Sequence, residues 1–278
     1  MSEYSEYMKQ AKEEVELCLD IWKNIFEENY SATIDYAYSK GSAVKKWDTF
    51  IDYVPILSDV DIHIKTREYS DLFQKDDSFY ESVNLSELYE STFIERNPNY
   101  FHIPRVQIIH LNHLLIIRDF IQPKLNEITL MIGKPEEMEK PSIEFIRETD
   151  KKELLKLEEF LSSLPMSMID RTGLDLWVLV RRMLWRVSPS PIRLLSQLHD
   201  TPLDLWEMNR TKISEELEKY DYVLLAENYK DYYYEGWIGF MEGFSNSQTL
   251  RRIISSGYDI LKICFEEIQS LDEREQLF

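Results

Sequence analysis

The sequence predicts an α+β protein, in which a small mixed sheet flanked by helices is followed by an all-helical domain. Three observations carry this. Short runs with strand-like alternation are confined to residues 32–133. Beyond the charged segment GKPEEMEKPSIE (133–144), which holds two prolines, the apolar residues recur at helical spacing. The chain also has only 7 glycines against 13% aromatic residues, a composition that suits packed helices better than loops. A chain of 278 residues with 44% hydrophobic content can bury a sizeable core and fits two domains, expected at 1–140 and 141–278.

Residues 5–29 predict a long amphipathic helix, because Val15, Leu17, Cys18, Ile21, Trp22, Ile25 and Phe26 recur at helical spacing among Lys and Glu. ATIDYAY (32–38) alternates as a strand. Ser39-Lys40-Gly41-Ser42 breaks it as a turn, and a short helix is expected over 43–52. DVDIHIK (59–65), IPRVQIIHL (103–111) and NEITLMIG (126–133) are three further strand candidates. The acidic, aromatic stretch at 67–95 is expected to be helical in part. In the second half, LDLWVLVRRMLWRV (174–187) predicts a helix ended by SPSP (188–191). DTPLDLWEMNRTKISEELEKY (200–220) predicts another, opened by a cap and a first-turn proline. Two more helical segments complete a bundle.

A net charge of −19, from 51 acidic and 32 basic residues, repels phosphate backbones, so long nucleic acid is a poor partner. Cys18 and Cys264 have no CxxC or metal-like spacing and read as reduced, buried thiols. The N-terminal MSEYSEYMKQAKEE is polar from its start, and no apolar run approaches the ~20 residues of a membrane span. A cytoplasmic protein without a membrane partner is expected.

Strand interiors usually avoid aspartate, yet LSDVDIHI (57–64) carries two. Side chains alternate along a strand, so Asp59, Asp61 and His63 share one face, and Val60, Ile62 and Ile64 pack on the other. The two carboxylates stand about 6–7 Å apart along the backbone and repel unless a cation or proton lies between them. Mg²⁺ takes carboxylate oxygens, waters and nucleotide phosphates, so the pair suits a Mg²⁺–nucleotide site. On its own the pattern is short and common, and a polar wet face of an edge strand is the plainer account. Upstream, YSKGSAVKK (38–46) supplies Gly41, which lets backbone approach a phosphate, and Ser42, which can cap a helix or bind a phosphate oxygen.

A strand, a Gly-Ser turn, a helix and a strand with Asp-x-Asp in that order resemble the nucleotidyltransferase superfamily, which includes DNA polymerase beta and the aminoglycoside nucleotidyltransferases. The resemblance runs from Tyr36 to Leu111, and Ser58 before the first aspartate matches a frequent form of the motif. It implies a Mg²⁺- (or Mn²⁺-) dependent enzyme. Such an enzyme moves a nucleoside monophosphate from a nucleoside triphosphate to a small-molecule or protein acceptor and releases pyrophosphate. Asp59 and Asp61 would hold the metal, and Gly41, Ser42 and Ser58 would meet the nucleotide. The chain departs from the pattern twice. WDTFIDYVP is inserted between the turn and the aspartates, and Gln107 stands where the family places a third carboxylate. Asp119 or Glu127 could supply that carboxylate, or Gln107 could serve with a single metal. The alternative is a catalytically reduced member that binds a nucleotide or a protein partner in a regulatory or toxin–antitoxin role.

Lys45 and Lys46 are candidates for phosphate contact, although a surface lysine pair needs no function. Arg182, clustered with Arg181 and Arg186, is a candidate to meet the triphosphate across an interdomain cleft; helix-surface ion pairs are the plainer account. The aromatic run Tyr232–Trp237 can stack a base but suits a bundle core. His102, His110 and His113 lack the spacing of a zinc triad. The sequence has no GxGxxG, Walker-type loop or nucleophile elbow.

Overall fold

The computed structural model describes residues 2–68, 72–73, 78–117, 120–136 and 140–276. It divides into two compact units. The first is Met1–Lys46 with Ser58–Glu139; the second is Trp47–Leu57 with Lys140–Phe278. The units change over near residue 140 and again at 47–57. These residues, expected within the N-terminal domain, belong to the second unit.

In the first unit, helix α1 (Ser2–Tyr30) precedes strands β1 (Ile34–Lys40) and β2 (Val60–Thr66). Helix α2 (Ser78–Arg96), strand β3 (Val106–His110), the single turn α3 (Leu111–Leu114) and strand β4 (Thr129–Ile132) follow. The sheet order is β3-β2-β1-β4; β1 runs antiparallel to both neighbours, and β2 and β3 are parallel. A parallel pair needs a crossover, and α2 lies in it. The apolar stripe of α1 is buried as its spacing requires, with Val15, Cys18 and Phe26 fully inaccessible. Val60, Ile62 and Ile64 are likewise fully buried. The strand expected at 32–38 starts later, because the Thr33 amide closes the last turn of α1 on the Tyr30 carbonyl at 2.9 Å.

Glu14 of α1 is buried, and it fixes the approach to β3. Its carboxylate accepts the Phe101 amide, the His102 amide at 3.0 Å and the His102 imidazole. Burial works against the charged form. The hydrogen bonds from His102 and from the Phe101 amide outweigh it and hold the Glu14 carboxyl below its usual value. Glu14→Ala leaves two amides without acceptors, and a loss of about 3 kcal/mol is expected in urea unfolding at pH 7. Because the folded-state value is depressed, this contribution is present above the unfolded pKa and disappears as pH falls through the folded one. The gap between wild type and variant should therefore narrow in acid.

The second unit holds helices α4 (Ile143–Leu155), α5 (Leu157–Ile169), α6 (Leu176–Val187), α7 (Ser190–Ser196), α8 (Pro202–Leu205), α9 (Arg210–Lys219), α10 (Val223–Met241) and α11 (Ser247–Gln276). SPSP ends α6 at Val187 as expected; Ser188 and Pro189 form the turn, and Ser190-Pro191 open α7. The single helix expected over 200–220 is split. Asn209 caps α9 by accepting the Lys212 amide at 2.9 Å. Tyr229, Tyr232, Tyr233 and Trp237 are core residues of this unit.

The helix expected over 43–52 is replaced by turns and a 3-10 segment at Phe50–Asp52. The cause is Asp52, which is buried and draws its amides from outside a helix. It accepts Asp48 N at 2.7 Å, Thr49 N at 2.9 Å and Thr211 N at 2.8 Å. Trp237 Nε1 donates to the Phe50 carbonyl at 2.6 Å. Gly236 leaves room for Leu57 and Val54; a Cβ there would stand 2.6 Å from Leu57. Among the described residues no helix is long and apolar enough to cross a membrane.

Candidate functional site

The strand register assembles the site row by row. Lys40 on β1, Asp61 on β2 and Gln107 on β3 are direct neighbours. Cross-strand neighbours place their side chains on one face of the sheet. Asp59 lies one pleat repeat away on the same face. It pairs with Arg105, whose Nη2 is 2.9 Å from Asp59 Oδ2. In the other direction the row is Tyr38, His63 and Ile109, with the Tyr38 and His63 rings stacked at 5.1 Å.

Gly41 ends β1 in the left-handed region, at φ +87°. A Cβ at Gly41 would lie 2.9 Å from Asp61 Oδ2, so the carboxylate packs against bare backbone. The Gly41 carbonyl accepts the Val44 and Lys45 amides at 3.2 and 3.3 Å. Lys12 of α1 braces this turn by donating to the Ala43 carbonyl at 3.0 Å. Gly41→Ala combines left-handed strain with displacement of Asp61. A stability loss of about 1–2 kcal/mol is expected, together with a larger loss of any Asp61-dependent ligand affinity, checked by unfolding and calorimetry on the same sample.

Burial and the neighbouring Asp59 charge push the Asp61 carboxyl up to about 7, while Lys40 and Arg105 pull the other way. Burial and then Lys40 lower His63 to about 3, so its imidazole is neutral at physiological pH. Among the described residues, the buried His63 Nδ1 and Tyr38 Oη have no hydrogen-bond partner. Burial lowers Lys40, whose ammonium is held by the charges of Asp61 and Glu127. Burial raises Glu127, and Lys124, Lys45 and Lys40 all act against that. Lys40 and Lys45 flank the Gly-Ser turn in a strongly acidic protein.

The residues singled out from the sequence divide as follows. Asp59, Asp61, Gly41 and Gln107 meet on one sheet face. Ser42 and Lys45 lie in the turn that follows, half-buried; Lys46 there is exposed, and Ser58 before the motif is buried. Arg182 belongs to the second unit, where its guanidinium lies 5.4 Å from the centre of the Phe160 ring and donates to Ser167 Oγ at 3.3 Å. Asp119 lies outside the described residues. Glu127 is linked to the face through Lys40, and among the described residues no group of three or more His, Cys, Asp or Glu is placed to hold a metal. Sequence inspection missed Arg105 and Lys40. Arg105 stands two residues before Gln107 and therefore on its face; Lys40 immediately precedes Gly41.

Two carboxylates with phosphate oxygens suit one Mg²⁺. The neutral Gln107 amide beside Asp61 supplies a weaker oxygen and no charge for a second ion. No family model matches the chain, and neither a curated protein nor a solved structure matches it.

Proposed function

We propose that the first unit is a nucleotidyltransferase-type site that moves a nucleoside monophosphate from a nucleoside triphosphate to a small-molecule or protein acceptor, with Mg²⁺ or Mn²⁺. The observation that carries this is the approach of the Asp61 carboxylate to the left-handed Gly41 backbone, with Asp59 on the same face. A turn without a Cβ next to paired carboxylates brings phosphate-binding backbone and metal ligands together. Asp59 and Asp61 would hold the ion, with Gln107 as a neutral oxygen beside them. The ion, when bound, would neutralise charge on the reacting phosphates. The Gly41-Ser42 turn and Lys45 would orient the phosphate tail, and positioning would supply much of the rest. The −19 charge favours a small or cationic acceptor over a nucleic acid.

A second reading, a catalytically reduced protein that binds a nucleotide or a partner, is favoured by Gln107 opposite Asp61 and by the Arg105–Asp59 ion pair. Incubation with each α-labelled nucleoside triphosphate, Mg²⁺ or Mn²⁺ and candidate acceptors separates the two. Label transfer that is lost in Asp59→Ala/Asp61→Ala supports the enzyme. Nucleotide binding without transfer supports the reduced form, and absence of nucleotide binding by calorimetry with metal present removes both.

A further inference from the structure

We infer that Arg105 and Lys40 are triphosphate-binding residues held in reserve on the two aspartates, so that the site takes one divalent ion together with a triphosphate rather than ahead of it. This rests on the nucleotide reading above and identifies which side chains of that site grip the phosphates. Paired carboxylates one pleat repeat apart need positive charge between them. Here the protein supplies it twice. Arg105 is ion-paired to Asp59 at 2.9 Å, with both side chains largely buried. Lys40 is the cross-strand neighbour of Asp61. A bare divalent ion must therefore displace a guanidinium and meet an ammonium before it reaches either carboxylate.

A triphosphate changes that balance. Arginine presents a planar fork of donors that matches phosphate oxygens, and lysine is a strong point charge for them. Arg105 also has capacity to spare, because a guanidinium carries five N–H donors and the Asp59 contact is made through Nη2. Arg105, Lys40 and both aspartates lie on one sheet face, so side-chain rotation alone moves the cations from carboxylate to phosphate. The released aspartates then face the ion that arrives with the phosphates. Gln107, where a further carboxylate would recruit a second ion, adds no charge.

The test is calorimetry on the full chain with three probes: Mn²⁺ alone, inorganic tripolyphosphate in EDTA, and the preformed Mn²⁺–tripolyphosphate complex. Wild type is expected to bind Mn²⁺ alone weakly and to bind the complex with one ion per chain. Lys40→Met and Arg105→Met are each expected to bind Mn²⁺ alone about tenfold more tightly and the complex about tenfold less tightly. Asp59→Asn/Asp61→Asn should bind metal-free tripolyphosphate more tightly than wild type, because its cations are released. Lys40→Arg, which keeps the charge, should preserve binding of the complex; Arg105→Lys, which keeps the charge but not the fork, should bind it more tightly than Arg105→Met and less tightly than wild type, and circular dichroism verifies the fold of every variant. Equal binding of the complex by wild type and both methionine variants would overturn the inference and leave the nucleotide reading standing. So would two ions per chain, or unchanged tripolyphosphate binding in the asparagine variant. A wild type that binds no complex overturns both.

Discussion

Asp61→Asn is expected to abolish the proposed divalent-dependent nucleotidyl transfer and, at pH 8, to raise the melting temperature by a few degrees. Both effects have one origin. Asp61 is largely buried, it lies one pleat repeat from Asp59, and its carboxyl is raised to about 7 by burial and by that neighbour. The folded state therefore disfavours the charge that a metal site requires. Asparagine keeps the shape and removes the charge, which relieves both the desolvation and the repulsion from Asp59. It also removes a ligand of the proposed metal site, and a metal contribution of several kcal/mol corresponds to a loss of at least ~10³ in rate. Lys40 keeps Glu127 as a charge partner in the variant.

The pH dependence fixes the sign. A folded-state pKa above the unfolded value means that wild type loses stability as pH rises from about 4 to about 7. The asparagine variant has no such loss at this position. Its advantage should be absent near pH 4, grow across that window and be full above pH 7. Thermal melts of both proteins at three pH values read this directly. A constant difference across pH, or a less stable variant at pH 8, would contradict the burial argument. Transfer that persists in the variant would remove Asp61 from the metal site. A gain in stability on removing a functional charge is the usual signature of a residue kept for chemistry rather than for the fold.

How much of this was legible in the sequence depends on the range of the interactions concerned. The shared face of Asp59, Asp61 and His63 follows from the period of two and needed no partner strand. The buried stripe of α1 follows from helical spacing in the same way. The row Lys40–Asp61–Gln107 is different, because it depends on the register of three strands, and a slip of one residue would reverse every side chain. The Arg105–Asp59 pair follows only from that register. The fate of 47–57 was least legible. Its local pattern suits a short helix, but short helices are marginal without tertiary support. Here the support pulls the other way: Thr211 and Trp237, far along the chain, bind Asp52 and the Phe50 carbonyl. The insertion that spoils the motif's spacing is thus a segment of the second unit, and the aspartates that follow it return to the sheet.

Gly133→Ala is expected to be among the most destabilising single-methyl changes in the first unit, at about 3 kcal/mol or more. Gly133 follows β4 at φ +56°, where an alanine costs about 1–2 kcal/mol of backbone strain. The added Cβ would also lie 2.4 Å from the Asp35 carbonyl oxygen and 3.1 Å from Tyr36 Cβ. The first of these is backbone of β1, which β2 and β4 pair on either side, so it cannot rotate away. Relief requires β4 to move off β1, with loss of ladder hydrogen bonds at an edge of the sheet. At Gly41 the clash is with a carboxylate that can turn, so the same substitution there disturbs the site more than the fold. Gly243 isolates the strain component, because it has a similar φ of +62° and, among the described residues, nothing within 4 Å of an added Cβ. Gly243→Ala should cost only about 1 kcal/mol. Urea unfolding followed by circular dichroism compares the two. Equal losses at Gly133 and Gly243 would mean that β4 is not held against β1 as described, and the register that brings Lys40 beside Asp61 would then need revision.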